Sequence, residues 1–342
     1  MKILLTADPE LPVPPGLYGG IERIVEVLVN EYVKAGHEVV LCAHPDSKVP
    51  CKLIPWKGQH SQTPLDTLKN LMTLTSVARR ERVDIIHSFS RLAYMTLLFP
   101  SAIPKIMSYQ REPSARQIGK AWKLAKKGSL VFTGCSNYIT DQISRVGTAY
   151  TIYNCAPFER YTLTQKVDED APLMFLGRVE DIKGPDIAIE VARRSGRRLI
   201  IAGNIPVGKE DFYDKKIRPH LDSRIEYVGA VNDQQKNDLL GKALALLMPI
   251  QWNEPFGIVM AEAMACGTPV IGFSRGSVPE VVDGGVTGYV CNTTEEMAAH
   301  VEDCKSLSRT DVRKKAENRF SNARISADYL SLYRQLTPKG SL

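Results

Sequence analysis

Short apolar runs alternate with helix-period stretches twice along this chain, with one interruption between the two series. In the first series, strands are expected at 2–7, 38–43, 84–87, 105–109, 129–134 and 149–153, with helices at 21–35, 65–80, 114–127 and 138–145 between them. In 21–35, Ile21, Ile24, Val25, Leu28 and Tyr32 fall at helical spacing and Gly36 closes the stretch. Residues 155–172 break the pattern with two prolines and the run Asp168-Glu169-Asp170, and read as a linker. A second series places strands at 173–177, 198–202, 224–228, 243–248 and 269–271, and a last amphipathic helix covers 328–336. Strand–helix alternation of this kind predicts parallel sheets with helices on both faces. The expected fold class is therefore α/β, with two doubly wound domains; 342 residues suit two domains at ~150 residues each. Ligands of such sheets sit beyond the carboxyl ends of the strands, so two facing sheets would hold their ligand in the cleft between them.

Composition narrows the class of function. There are 44 basic and 38 acidic residues, a net charge of +6. That surplus favours an anionic ligand and is too weak to imply nucleic acid. No apolar run approaches the ~18 residues of a membrane span. The amino-terminal apolar stretch stops at Asp8, too short for a signal peptide. The seven cysteines are scattered with no CxxC pair, against a disulfide framework or a cysteine zinc site. The expected location is the cytoplasm.

Several motifs fail on inspection. Gly203 to Lys209 nearly fits a P-loop, but Glu210 replaces the hydroxyl that would hold magnesium and Pro206 removes an amide donor. A strand-end turn is the better reading. No GxGxxG occurs. Asp168-Glu169-Asp170 has the D-x-D form of some metal-dependent transferases, yet it lies in a polar stretch and reads better as a solvated charge run. The six histidines show no HExxH, so no metal site is expected.

Three constellations carry chemistry. Tyr18-Gly19-Gly20-Ile21-Glu22 lets the backbone approach a ligand at a helix start, or is a plain tight turn. Arg178 and Lys183 flank the start of a helix opened by Pro185, where cations oppose the helix dipole unless an anion lies between them. The alternative is a solvated pair of surface charges. From Phe256 to Cys266 every residue except Glu262 is apolar or glycine, which describes a buried helix with one costly carboxylate. Glu254 precedes it, as a ligand for hydroxyls or as an acid stabilised by the dipole. Eight residues separate the two glutamates, a rise of roughly 12 Å if helical. That span suits a nucleotide sugar, with hydroxyls at both ends and phosphate between.

The pattern GGxE, GRxxxxKG and EPFGxxxxEAMACGTPV, followed by Gly276-Ser277-Val278-Pro279-Glu280, resembles the family 4 glycosyltransferases, most strongly over 173–291. The resemblance implies the GT-B fold, two Rossmann-like domains facing a central cleft. It implies an acceptor-binding domain over 1–163, with 324–342 crossing back onto it, and a donor-binding domain over 164–323. It implies a retaining, metal-independent hexosyl transfer from a UDP-, GDP- or ADP-sugar to a hydroxyl acceptor (a glycan, a lipid-linked or a small molecule), with no further cofactor. Arg178 and Lys183 would bind the diphosphate, Glu262 the ribose, and Glu254 the transferred sugar. Backbone amides of Phe256, Gly257, Ile258 and Val259 would meet sugar and phosphate, and Gly19 and Gly20 would close over the phosphates. Where the family often has a histidine near the reacting sugar, this chain has Gln110. Gln110 and His87 are the candidate acceptor or sugar contacts, His87 alternatively being a core histidine. The family's asparagine–glycine after the last strand of the first domain is Asn154-Cys155 here.

No carboxylate is clearly placed as a covalent nucleophile, which favours front-face attack; double displacement through Glu254 stays open. A sugar-nucleotide epimerase of similar fold and a non-catalytic binding protein are the rival readings. Arg116, Lys120, Lys123, Lys126 and Lys127, with Ile118, Trp122 and Leu124, suit contact with an anionic membrane at its inner face, or a sheet-covering helix with a solvated basic side.

Overall fold

The structure, a computed structural model, describes residues 1–16 and 19–337. Tyr18 and the end of the expected crossing segment, from 338 on, lie outside the described residues. The chain divides into two compact units, Met1–Asn154 with Asn322–Leu342, and Cys155–Ser321.

In chain order the first unit contains β1 (Lys2–Thr6), α1 (Gly20–Lys34), β2 (Glu38–Ala43), β3 (Lys52–Pro55), α2 (Pro64–Arg80), β4 (Ile85–Ser88), β5 (Lys105–Tyr109), α3 (Ala115–Leu124), β6 (Leu130–Gly134), α4 (Asn137–Ser144) and β7 (Ala149–Thr151). The second contains β8 (Leu173–Leu176), α5 (Pro185–Ser195), β9 (Leu199–Ala202), α6 (Glu210–Lys216), β10 (Ile225–Gly229), α7 (Asp233–Lys242), β11 (Ala245–Met248), α8 (Ile258–Ala265), β12 (Val270–Phe273), α9 (Val278–Val281), β13 (Gly288–Cys291), α10 (Thr294–Ala299) and α11 (Arg309–Phe320). The final helix, α12 (Asn322–Leu336), returns to the first unit.

Both sheets are wholly parallel. Their orders are β3-β2-β1-β4-β5-β6-β7 and β10-β9-β8-β11-β12-β13. The chain leaves β1 toward one edge and resumes at β4 toward the other, and does the same at β8 and β11. Each unit thus has a switch point where loops diverge and leave room for a ligand. The α/β, doubly wound expectation is met. Central strands such as β1 and β11 are buried along almost their whole length, which is why they read as continuous apolar runs.

Two edge strands, β3 and β13, were not expected from the sequence. β3 is half-exposed and ends in Pro55, which an edge strand tolerates, so it shows no apolar run. The stretch 155–172 is not a free linker. Phe158 and Tyr161 are buried, and Arg313 donates to both their carbonyls at 3.0 and 2.8 Å. Its prolines break the helical period, while the partners that hold it lie far along the chain. None of the seven cysteines, all among the described residues, is in a disulfide.

Candidate active site

In the second unit the loops after β8 and β11 leave the switch point together. The first carries Arg178, makes a single tight turn at Asp181–Lys183, and reaches Gly184 and Pro185 at the start of α5. Gln251 N donates to Ile182 O at 2.8 Å, joining the two loops. Gly184 is required there. Its φ is +71°, and a Cβ would lie 2.2 Å from the carbonyl oxygen of Pro249.

This close approach brings Lys183 to Glu254. Lys183 Nζ donates to Glu254 Oε2 at 2.6 Å. Trp252 Nε1 donates to the same oxygen at 3.0 Å, and the ammonium sits 4.8 Å from the Trp252 ring centroid. Both charged side chains are mostly buried, at 17% and 11% exposure. Arg178 is more exposed and pairs with Glu180 at 2.8 Å. The two cations that oppose the dipole of α5 are therefore each matched by a carboxylate.

Glu254 and Pro255 lie before α8, which begins at Ile258 rather than Phe256, so the helical rise estimated between the two glutamates applies only from Ile258 to Glu262. Gly257, with φ +70°, caps the helix. Gly257, Ile258 and Val259 are half-exposed, and the amides of a first helical turn have no partner within the helix. Ser277 holds the approach by donating its amide to Glu254 O and its hydroxyl to Phe256 O, both at 2.9 Å. Gly276 allows this: a Cβ there would lie 2.4 Å from Glu254 O. Phe256 is buried against Phe320, with ring centroids 5.5 Å apart.

Glu262 is the lone carboxylate of an otherwise apolar helix, and it is paired. Lys236 Nζ donates to Oε1 at 2.6 Å and Tyr161 OH at 2.8 Å. Burial, together with the Glu262 charge, pushes the Tyr161 hydroxyl well above its usual range. Lys236, Tyr161 and Trp252 escaped the sequence reading. Lys236 sits on a polar helix, and nothing local marks it.

Asp170 pairs with Arg198 at 3.2 Å and Glu169 with Lys305, all at the surface of the second unit. The near-P-loop is a turn in which Lys209 pairs with Asp181 at 2.6 Å.

In the first unit Gly19 caps α1 and Gly20 opens it. His87 lies in the core rather than at a surface. Its Nδ1 is 2.5 Å from Tyr333 OH and its Nε2 is 2.6 Å from Ser108 Oγ. Full burial pushes the imidazole down to about 3. Both nitrogens are engaged, so the core reading of His87 fits this arrangement and a sugar contact does not. Through Tyr333, which is 3.1 Å from Tyr32 OH, the histidine ties α12 to β4 and α1. Gln110 accepts from Asn154 Nδ2 at 2.7 Å, while its own Nε2 is buried without a hydrogen-bond partner.

Asp8, two residues beyond β1, has a buried Oδ1 that is also without a partner. Burial pushes its carboxyl up to about 7; Glu10 and Glu22 add to the rise, and Arg111 and Arg91 oppose it. An acid raised in the folded chain keeps its proton longer there. Its contribution to stability is present below the unfolded value of about 4 and is lost as pH climbs through 7. Asp8→Asn removes that titration. Urea unfolding is expected to show the variant gaining about 1 to 3 kcal/mol on the wild type between pH 5 and pH 8. Parallel pH profiles for the two proteins would count against a protonated Asp8.

Residues 164–324 match the family described as glycosyl transferases group 1, and residues 18–159 match glycosyltransferase family 4. The crystal structure of AviGT4, a glycosyltransferase involved in avilamycin A biosynthesis, superposes with a TM-score of 0.75 at 26% identity, covering 98% of this chain and 97% of that one. The chain is a GT-B glycosyltransferase of family 4. It is similar to spore coat protein SA of Bacillus subtilis (strain 168), 25% identical over 377 residues, which span 97% of this chain and 99% of that protein. It shares its fold with Anabaena HepE, solved with UDP-glucose, at a TM-score of 0.74 and 19% identity over 98% of this chain and 100% of that one. In this glycosyltransferase the mostly buried Lys183–Glu254 pair lies at the carboxyl ends of β8 and β11, in the half that matches the group 1 family.

Proposed function

We propose that this glycosyltransferase moves a hexose from a nucleoside-diphosphate sugar to an acceptor hydroxyl with retention of configuration, without a metal. The observation that carries the reading is the convergence of Lys183, Glu254 and the Gly257-capped start of α8 at one switch point. Lys183 and Arg178 hold the diphosphate, Arg178 by its planar fork and Lys183 as a point charge. The amides from Phe256 to Val259 add donors. Glu254, oriented by Lys183 and Trp252, accepts from hydroxyls of the transferred sugar. Glu262, held by Lys236 and Tyr161, accepts from the ribose. A UDP-sugar is supported by the UDP-glucose in HepE; GDP- and ADP-sugars use the same phosphate chemistry.

In the reaction the acceptor oxygen attacks the anomeric carbon on the face from which the diphosphate departs. The C–O bond to phosphate breaks, and a phosphate oxygen takes the acceptor proton. Lys183 and Arg178 stabilise the charge that grows on the leaving group. Asp168 and Asp170 are exposed, and Asp170 pairs with Arg198 rather than facing these cations, so neutralisation is assigned to side chains.

The test is product analysis with UDP-, GDP- and ADP-glucose after exhaustive EDTA treatment. The expected result is glycosyl transfer or slow donor hydrolysis at the untreated rate. Activity that vanishes and returns only with manganese or magnesium would overturn metal independence, and epimerised sugar would overturn transfer.

A peripheral membrane contact belongs to the same proposal. Among the described residues no helix is long and apolar enough to cross a membrane. On α3, Arg116, Lys120 and Lys123 are exposed, as is Leu124, while Ile118 and Ala121 are buried. Trp122 packs on Phe132, with ring centroids 6.3 Å apart, so the sheet takes the tryptophan and the basic side remains for lipid. The protein is expected to float with phosphatidylglycerol vesicles at low salt and to release at high salt. No flotation at low salt would leave α3 as a sheet-covering helix.

A further inference from the structure

A cavity of about 350 Å³ opens in the first unit, lined by Pro9, Glu10, His44, Pro45, Asp46, Gln59 and His60. Its residues follow β1, β2 and β3, so it lies on the carboxyl side of the sheet, where doubly wound folds take ligands. We propose that this cavity is the subsite for an uncharged saccharide, and that the acceptor of this glycosyltransferase is a neutral glycan rather than a phosphorylated one. The proposal rests on the transferase reading above and adds the acceptor's class.

The lining offers two carboxylates, two imidazoles and an amide, and no lysine or arginine. Carboxylates accept hydrogen bonds from sugar hydroxyls and repel phosphate. Pro9 and Pro45 supply apolar surface for the C–H faces of a pyranose ring. The volume is that of a small-molecule site. The carboxylates are held in different ways. Glu10 Oε1 accepts from Ser61 N at 2.6 Å, which fixes the 59–61 wall. Asp46 is exposed, and its backbone amide is anchored by donating to His44 Nδ1 at 3.1 Å.

A second observation points the same way. Asp8, immediately before the lining residues Pro9 and Glu10, carries a buried carboxylate oxygen with no donor. A carboxylate oxygen left without a donor is unfavourable, and a sugar hydroxyl supplies what it lacks. The Asp8 side chain is 14% exposed, and its Oδ2 lies 3.8 Å from Arg111 Nη2, which leaves Oδ1 as the unpartnered oxygen beside the lining. The charged groups around it are Glu10, Glu22, Arg91 and Arg111. Three carboxyls with Asp8 against two cations leave no positive surplus for a phosphate.

Saturation-transfer NMR and calorimetry at pH 7.5 test this with maltose and methyl α-D-glucopyranoside as neutral probes and glucose 6-phosphate as the charged one. Neutral probes are expected to bind at least 10-fold more tightly than glucose 6-phosphate. Asp46→Ala should weaken the neutral probes at least 5-fold. Asp46→Lys, a change at an exposed position, should reverse the preference. Equal or tighter binding of glucose 6-phosphate to the wild type, no binding of either neutral probe, or indifference to both Asp46 substitutions would each overturn the proposal. UDP titrated into the same samples reads the donor site separately. Loss of UDP binding would strike the transferase reading, while intact UDP binding with no saccharide binding strikes the acceptor subsite alone.

Discussion

Lys183→Ala is expected to lower kcat/KM by about 100-fold, the loss that follows removal of one fixed donor to a developing anion. Arg178→Ala is expected to cost at least about 10-fold. The difference follows from how each cation is held. Lys183 is largely buried, fixed by Glu254 at 2.6 Å and backed by the Trp252 ring, so its charge acts through little water and needs little reorganisation. Arg178 is more exposed and tied to a single neighbouring carboxylate. Lys183→Ala also leaves Glu254 without its cation, so in the proposed donor site the sugar as well as the diphosphate would lose a fixed partner. Initial rates of nucleoside diphosphate release measure both variants, and calorimetry with UDP separates binding from turnover. Wild-type kcat/KM in the two purified variants would move the diphosphate site elsewhere.

Arg309→Met is expected to destabilise the second unit by about 3 to 5 kcal/mol, a loss reserved for broken buried polar networks. The Arg309 guanidinium donates to Thr164 O at 2.6 Å, to Ala243 O and Gly241 O at 2.9 Å, and to Thr268 Oγ1 at 2.7 Å. Burial pushes its pKa down to about 10, so it remains a cation at neutral pH. Gly241 and Ala243 close α7, where free carbonyls and the negative end of the helix dipole meet a cation. Thr268 follows α8. The same side chain therefore joins the ends of the two helices that carry Lys236 and Glu262. Methionine restores the volume and leaves these acceptors without donors. Urea unfolding of Arg309→Met measures the loss, and Arg309→Lys is expected to recover less than half of it, because an ammonium cannot span the same fork. A change below 1 kcal/mol for the methionine variant would mean that water replaces the guanidinium.

Much of the candidate site was legible because its signals are local. Pro185 after Lys183-Gly184, and Phe256-Gly257 before an apolar run, mark helix starts by turn chemistry. A lone glutamate in that run asks for a partner on grounds of burial alone. Local signals say less where the decisive neighbour is distant. His87 stood open between the core and a sugar contact, because nothing near it in the chain marks Tyr333, 246 residues away, as the partner of its Nδ1. The 155–172 stretch has the composition of a linker and is a clamped segment, because Arg309 and Arg313 reach it from α11.

The amino-acid sequence by itself determined the two α/β series, the parallel sheets and the family, since periodicity and turn residues act within a few positions of the backbone. It also placed Arg178, Lys183, Glu254 and Glu262 on the elements that now hold them. Only the tertiary structure decided what each of them touches. Lys183 meets Glu254 across 71 residues, Lys236 meets Glu262 across 26, and Tyr161 meets Glu262 across 101. Parallel strands are joined by long crossovers, so residues adjacent at a sheet's carboxyl edge are far apart in the chain. Their pairing is set by strand order and packing, and no local pattern of residues encodes it.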